Sequence, residues 1–321
     1  MVACKTSVDS SDTGVSGPGS FTNSPMKFAD IMFATPLGNL NPPGHTLPTD
    51  HIYFYYVKIN GNTNVMADVF APGSGTVTWI NGPTPPGVDV GIGIKMTNTF
   101  LYYLGHVVLD LSIKVGSSIK AGQLMGTTSP QSNALDLGVI NDEITLKGFA
   151  VPSRYIYQTI HTDSPCKYFV QPLRDSLYAK VTRTGPEKDG KIDYDIPGRL
   201  VGGWFLKGLP LGDASATSDA WPKHLAFVYD MNTPGAVRVS IGGTLTMRGV
   251  YGVFKNSPDP ANISTANGRV GLKLTSFDTS GFIFGVLVVQ MIASDTIKVE
   301  TFQSVTADTV QFDANASIYT R

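Results

Sequence analysis

The segment "VFAPGSGTVTWI", residues 69–80, places two β-branched or aromatic runs on either side of a Pro-Gly-Ser-Gly corner. Glycine at such a corner supplies positive φ or a bulge, and the flanking runs have the composition of strands. We therefore predict a hairpin with its corner at Gly73–Gly75 and with Val77 pointing into a small β core.

A second segment, "VGSSIKAGQLMGTTS" at residues 115–129, has the same design. We expect corners between Gly116 and Gly126, with Ile119 and Leu124 in the same core. Short β-branched or aromatic runs, separated by Gly, Pro and Asn clusters, continue on both sides: "DHIYFYYVKI", "VGIGIKMT", "TFLYYLGHVVLDL" and "ALDLGVI". This pattern predicts an all-β domain rich in hairpins.

Composition supports the same fold class for the whole chain of 321 residues. Gly 34 and Pro 21 are high and charged residues are only 15%, which favours many short strands over long helices. The net charge of −1 provides no electrostatic footprint for nucleic acid, so we expect no nucleic-acid partner. The chain contains no apolar run of the roughly 18 residues that a membrane span needs.

The chain divides into four predicted regions. Residues 1–25 are small and polar and are expected to form a disordered tether. A β domain with a connector follows over 26–181, and the charged segment 182–198 is the predicted linker. Eight short strands then follow at even spacing over 199–321, which predicts an antiparallel β-barrel or sandwich.

Two cysteines, Cys4 and Cys166, are too few for a disulfide framework. "MVAC" followed by a Ser/Gly-rich segment resembles the end of a bacterial lipoprotein signal, which implies lipidation of Cys4 and an extracytoplasmic, lipid-anchored protein. The alternative is an ordinary N-terminus that contains a chance cysteine.

The two hairpin segments together resemble the M23 family of zinc metallopeptidases, the lysostaphin and LytM type, over roughly residues 41–142. The resemblance implies an M23-like β domain with a zinc ion held by three side chains. The family takes these ligands from an early His-x-x-x-Asp motif and from the last His of a late His-x-His motif. Further histidines assist catalysis. A site of this kind keeps an open position for water on the metal.

This chain departs from both motifs. The early motif is His45-Thr-Leu-Pro-Thr-Asp50-His51, and aligning the family's strand with "IYFYY" puts His51 at the second ligand position. The late motif is "ALDLGV", so Ala134 and Asp136 stand at the two histidine positions.

Two interpretations of these substitutions stay open. In the first, the site has lost a catalytic histidine and a ligand, which leaves a binding or structural module. In the second, the ligands are permuted to His45, His51 and Asp136, a set of two imidazoles and one carboxylate that zinc accepts. Leu135 and Leu137 would then face the core and Asp136 the opposite face of its strand.

The resemblance gives His106, in "YLGHV", the role of the catalytic histidine beside the metal. Asp50 has three roles open to it: a cap before the strand, a partner that orients an imidazole, or an alternative ligand. His161 and His224 match no motif and are expected to be structural or on the surface.

These features predict a secreted or surface protein that is either a divergent zinc-dependent hydrolase of cell-wall peptide amides or a non-catalytic M23-like module of the cell envelope. The partner would be a cell-wall peptide or an envelope protein. A third class, a barrel that carries a small lipid or pigment, rests only on the apolar strands of the second domain.

Overall fold

The computed structural model describes residues 13–56, 66–82, 88–277, 281–306 and 310–321, and the contacts among them form two compact units. The first unit consists of residues 13–37, 50–145 and 157–190, and the second of 38–49, 146–156 and 191–321. The boundary at residue 190 falls within the predicted linker 182–198. The inclusion of 38–49 and 146–156 in the second unit was not predicted from the sequence.

The first unit is built on one antiparallel sheet with two short helices, α1 (Tyr157–Ile160) and α2 (Leu173–Tyr178). Its strand order is β1-β2-β9-β6-β5-β4-β7, and β8 pairs with β3 and β6. The strands are β1 (Ile31–Ala34), β2 (His51–Tyr56), β3 (Asp68–Phe70), β4 (Gly75–Asn81), β5 (Val90–Lys95), β6 (Phe100–Leu109), β7 (Ser118–Ile119), β8 (Leu124–Thr128) and β9 (Ala134–Asn141).

Alternation along the central strands separates the two faces of this sheet. Leu135, Leu137 and Val139 of β9 are fully buried on the core face. Asp136 and Gly138 lie between them in the sequence and therefore point to the other face, because successive side chains of a strand alternate. The site described below lies on this second face.

Two details predicted for the first unit are wrong. The corner at Gly73–Gly75 does not close a hairpin, because β3 pairs with β8 whereas β4 pairs with β5 and β7. Gly75 is instead needed for a close approach, since a Cβ there would lie 2.3 Å from the Lys95 carbonyl oxygen. Leu124 is 50% exposed, and Met125, its neighbour on β8, occupies the inward position.

Residues 13–25 differ from the predicted disordered tether of residues 1–25. Phe21 is fully buried, and its backbone N–H donates to the Tyr168 carbonyl oxygen at 2.8 Å. Its ring packs edge-on against Tyr102 and Phe169, with centroid distances of 5.4 and 5.0 Å. Hydrogen bonds from the backbone N–H groups of Thr13, Gly17 and Thr22 hold the same segment in place. Cys4, the predicted lipidation site, lies outside the described residues.

The second unit contains a closed antiparallel barrel of eight strands, in the order of the chain. Its interior is filled by side chains that include Trp204, Phe227, Leu272 and Tyr319. The strands are β10 (Gly202–Leu206), β11 (His224–Tyr229), β12 (Val237–Ile241), β13 (Gly249–Val253), β14 (Arg269–Thr275), β15 (Ile283–Ala293), β16 (Thr296–Gln303) and β17 (Ser317–Thr320).

Short 3-10 helices complete both units. They cover Pro152–Arg154, Pro165–Tyr168, Gly212–Ala216, Trp221–Lys223, Pro260–Asn262 and Thr265–Asn267. The predicted all-β fold class is confirmed, and of the two alternatives for the second domain the structure has the barrel. None of the helices in the described parts of the chain is long and apolar enough to cross a membrane.

Candidate functional site

A polar cluster occupies the face of the first unit's sheet opposite the core. His51 and Tyr53 of β2 point to this face, because Ile52 and Phe54 between and beyond them are buried in the core. The register pairs Tyr53 directly with Asp136 of β9, and Asp136 pairs in turn with Gly105 of β6. Three neighbouring strands therefore bring together residues that are far apart in the chain.

Asp136 is the centre of the cluster. Its Oδ2 atom lies 3.6 Å from Nε2 of His51 and 3.6 Å from Nε2 of His106. Its Oδ1 atom is buried and has no hydrogen-bond partner among the described residues. Burial raises the pKa of Asp136, and the two imidazoles offset this only in part.

His51 lies between two groups that fix its ring. Its Nδ1 atom is 3.0 Å from Oδ1 of Asp50, and its Nε2 atom is 2.9 Å from the Tyr53 hydroxyl. Burial lowers the pKa of His51, but the carboxylates of Asp136 and Asp50 outweigh burial and the net pKa is raised. A neutral ring that donates from Nδ1 to Asp50 presents an unprotonated Nε2, which accepts the Tyr53 hydroxyl proton.

Asp50 is held by three donors from two other segments, β6 and α1. Tyr103 donates to Oδ1 at 3.1 Å, Gln158 donates to the same atom at 3.2 Å, and Thr159 donates to Oδ2 at 2.8 Å. Burial raises the pKa of Asp50, but the hydrogen bonds, led by that of His51, bring it down to about 2. Among the roles that the sequence left open for Asp50, this geometry is that of a partner that orients an imidazole.

His106 mirrors His51 on the other side of Asp136. Its Nδ1 atom lies 2.7 Å from Oδ2 of Asp89, and this hydrogen bond raises the pKa of His106 against the effect of burial. The backbone of His106 has a φ of 62°, in the left-handed region. The register between β5 and β6 shifts at this point, between Val90 and Ile92, as expected for a β-bulge that re-aims a side chain.

The other residues singled out in the sequence have the following surroundings. His45 belongs to the segment 38–49 of the second unit, where it exchanges backbone hydrogen bonds of 2.8 and 3.0 Å with Asn41. His161 bonds to the Ile144 carbonyl oxygen at 2.6 Å, and His224 is buried, which lowers its pKa to about 4. Ala134 is buried opposite Tyr55. In the described residues, no three His, Cys, Asp or Glu side chains converge closely enough to form a ready-made metal site.

Five contributors were not predicted from the sequence: Tyr53, Asp89, Tyr103, Gln158 and Thr159. Tyr53 could have been found, since it is two residues after His51 and so shares its face of the strand. Asp89, Tyr103, Gln158 and Thr159 carried no signal, because only the folded chain brings Asp89 to His106 and the other three to Asp50.

Comparisons with known proteins give partial likenesses. No protein-family model matches the chain, and no curated protein sequence matches it. Csd3 of Helicobacter pylori aligns at 18% identity over 39% of this chain and 32% of that one, with a TM-score of 0.29. A putative M23 peptidase from Pseudomonas aeruginosa aligns at 17% identity over 39% and 49%, with a TM-score of 0.24. The chain thus spans about a third and about half of these two structures.

The catalytic domain of lysostaphin from Staphylococcus simulans is a third solved structure similar to part of this chain. The alignment has 20% identity, covers 34% of this chain and 77% of that one, and has a TM-score of 0.24. Likenesses of this extent assign no family, so the chemistry of the site has to be argued from its own residues.

Proposed function

We propose that the first unit carries a divalent-metal site and hydrolyses an amide bond. The observation that supports this proposal is the environment of Asp136, a buried carboxylate with one oxygen unpartnered among the described residues and the other facing two imidazole nitrogens. Nitrogen and oxygen donors of this kind suit zinc. An unpartnered buried carboxylate oxygen is costly, and a bound cation would offset that cost.

His51 and Asp136 would hold the ion, because both are buried and both are fixed. Asp50 sets the tautomer of His51, so that Nε2 of the neutral ring has a lone pair to offer. When bound, a zinc ion polarises a substrate carbonyl and lowers the pKa of its water. With Ala134 where the family has a histidine, one acid/base group is missing, and we expect a rate loss on the order of 10².

The resemblance of the sequence to M23 peptidases supports a cell-wall peptide as the substrate, with an envelope protein as the alternative partner. The same resemblance supports an extracytoplasmic location. The lipoprotein-like "MVAC" supports a lipid anchor at Cys4. All three belong to the proposal, and each has a direct test: digestion of purified cell walls, fractionation of cells, and the mass of the mature N-terminal peptide.

A non-catalytic module that binds an envelope polymer or protein is the second candidate. Two observations favour it: Ala134 stands at a position where the family has a catalytic histidine, and the Tyr53 hydroxyl already contacts Nε2 of His51 at 2.9 Å. Such a module would bind cell walls without releasing peptides.

Zinc content and cell-wall digestion of the full chain test these proposals together. We expect about one zinc per chain, slow release of peptides from purified cell walls, and loss of both in Asp136→Asn. The matched control is Asp110→Asn, which changes an exposed aspartate of the same unit. Zinc binding without peptide release would favour the second candidate, and a zinc-free wild-type protein would refute the metal site.

A further inference from the structure

We infer that His106 is a metal ligand rather than a proton shuttle, and that the Tyr53 hydroxyl is the group that an incoming ion displaces from His51. The site would then consist of His51, His106 and Asp136, all within the first unit. This inference rests on the proposed metal site, and it differs from the sequence-based set, in which His45 was the third ligand.

The two histidines are equivalent in their relation to Asp136. Each Nε2 atom lies 3.6 Å from the same oxygen, Oδ2. Two donor atoms on one tetrahedral zinc, each ~2.0–2.1 Å from the ion, are about 3.3–3.4 Å apart. Both histidines are therefore within a few tenths of an ångström of ligand spacing from Asp136, too far for a good hydrogen bond to the carboxylate.

Each ring is also anchored in the way that metal-bound histidines are. Nδ1 of His51 faces Asp50 at 3.0 Å, and Nδ1 of His106 faces Asp89 at 2.7 Å. A carboxylate on one ring nitrogen fixes the orientation of the ring and raises the basicity of the other nitrogen.

The backbone conformation of His106 also helps to orient its imidazole ring. A non-glycine residue at φ 62° is strained, and such strain persists only where the surrounding structure imposes it. The neighbouring Gly105 leaves room for Asp136, since a Cβ there would lie 2.9 Å from Oδ2. The bulge thus turns the ring of His106 towards the carboxylate.

The net charge of the cluster and the exposure of His106 also support a bound cation. Three carboxylates, those of Asp50, Asp89 and Asp136, surround two imidazoles, so neutral rings leave a net charge of −3. A divalent cation reduces that charge to −1 while both rings stay neutral. The side chain of His106 is 34% exposed whereas those of His51 and Asp136 are 8% and 9% exposed, so an ion and its substrate would approach from the His106 side.

The Tyr53 hydroxyl occupies the position at Nε2 of His51 that a metal would take, at a distance of 2.9 Å. When the neutral ring donates from Nδ1 to Asp50, this hydroxyl donates to Nε2 and uses the lone pair that a metal needs. Binding of the ion requires the phenol to release this nitrogen. Removing the hydroxyl should therefore strengthen metal binding.

The experiment is a calorimetric titration of the metal-free full chain with Zn²⁺, repeated with Co²⁺ and visible absorption to report the donor set. We expect one site in the wild type. In His106→Ala the affinity should fall by more than the roughly 10–100-fold loss typical of a missing outer partner, and in Asp89→Asn it should fall within that range. Tyr53→Phe should bind Zn²⁺ several-fold more tightly, and His45→Ala should bind with unchanged affinity.

Matched controls are His161→Gln and Tyr178→Phe, which change another histidine and another tyrosine of the same unit. Asp89→Asn leaves His106 in place, so it tests the ligand role even if His106→Ala folds poorly. Wild-type affinity in both His106→Ala and Asp89→Asn would overturn the inference and leave the proposed function intact. Loss of binding in His45→Ala would restore the sequence-based set. A wild type that binds neither metal would overturn both proposals, and weaker binding in Tyr53→Phe would overturn the role given to Tyr53.

Discussion

Two buried aspartates, one in each unit, show how differently the same side chain can be accommodated. Asp195 of the second unit accepts hydrogen bonds from the backbone N–H groups of Gly203 at 2.9 Å and Ala150 at 3.0 Å, and from the Tyr155 hydroxyl at 3.4 Å. Asp136 of the first unit has one oxygen without a partner among the described residues and the other 3.6 Å from two imidazoles.

Burial raises the pKa of both aspartates, but their partners differ in kind. For Asp195, the effect of burial on the pKa is partly offset by the charge of Arg321 and by backbone N–H donors, which cannot change their protonation state. The neighbours of Asp136 are histidines, which can exchange protons or take a metal. A buried carboxylate whose oxygens all accept hydrogen bonds is expected to stabilise the fold. A buried carboxylate with an oxygen that lacks a hydrogen bond is retained for a reason other than stability.

The largest loss of stability should follow from replacing Asp195, the carboxylate whose two oxygens both accept hydrogen bonds. Asp195→Ala leaves two backbone N–H groups without their acceptor and Arg321 without its counter-charge, so we expect the second unit to lose about 3 kcal/mol. Urea denaturation with hydrogen exchange of the barrel amides would measure this loss, with the exposed Asp219→Ala as the control. A loss under about 1 kcal/mol would mean that Asp195 is no more structural than Asp136.

A second effect, of about 2 kcal/mol, should appear on acidification of the first unit. The pKa of Asp50 is about 2 in the fold against an ordinary value of 3.8, and a carboxyl with a lowered pKa stabilises the fold above its ordinary value. That stability is lost as the pH falls from about 4 towards 2. Exchange of the β2 amides between pH 2 and 6 would measure it, and Asp50→Asn should flatten the curve. A flat wild-type curve would contradict the prediction.

Asp136→Asn should act in the opposite direction to Asp195→Ala. Because its pKa is raised, the Asp136 carboxylate costs the metal-free fold stability as the pH rises, and the amide removes that cost. We expect a gain of about 1 kcal/mol that is absent well below pH 3.8 and grows as the pH rises above that value, as is common when a functional group is replaced. The β9 amides would report it in hydrogen exchange. A loss of stability would make Asp136 a structural residue.

The sequence predicted the fold class and part of the cluster for a physical reason. Alternation along a strand assigns residues to faces, so Asp136 could be separated from Leu135 and Leu137, and His51 from Ile52. Strand pairing depends on contacts between residues that are distant in the chain. These contacts pair β3 with β8, whereas we predicted a hairpin of β3 with β4.

Asp89, which holds His106, and Thr159, which holds Asp50, were beyond the sequence for the same reason. Asp89 and Thr159 are separated from the residues they hold by 17 and 109 positions, and neither stands in a motif. The strand periodicity that places His51 and Asp136 does not extend to a loop or to a four-residue helix. The burial of Phe21 was also unforeseen, because its neighbours are small and polar.

The smallest and most local effect should come from the glycine beneath Asp136. A Cβ on Gly105 would lie 2.9 Å from Oδ2 and 3.1 Å from Cβ of Asp136, so Gly105→Ala must push this side chain aside by a few tenths of an ångström. The side chain can give way, so we expect a stability cost of about 0.5 kcal/mol. The shift moves Oδ2 relative to both imidazoles, so Zn²⁺ affinity should fall about five-fold, which corresponds to about 1 kcal/mol.

Gly91 of β5 provides the matched control, because it faces the same bulge from the neighbouring strand. A Cβ there would meet the Trp79 ring at 3.4 Å and the Leu104 carbonyl oxygen at 3.8 Å, which are ordinary contacts. Gly91→Ala should therefore keep wild-type Zn²⁺ affinity and gain a few tenths of a kcal/mol from the lower entropy of its unfolded chain. Equal affinities in the two variants would show that the position of Asp136 does not matter for metal binding. The contrast between Asp136 and Asp195 would then lose its functional meaning, because an unpartnered carboxylate that tolerates displacement is not a ligand held in place.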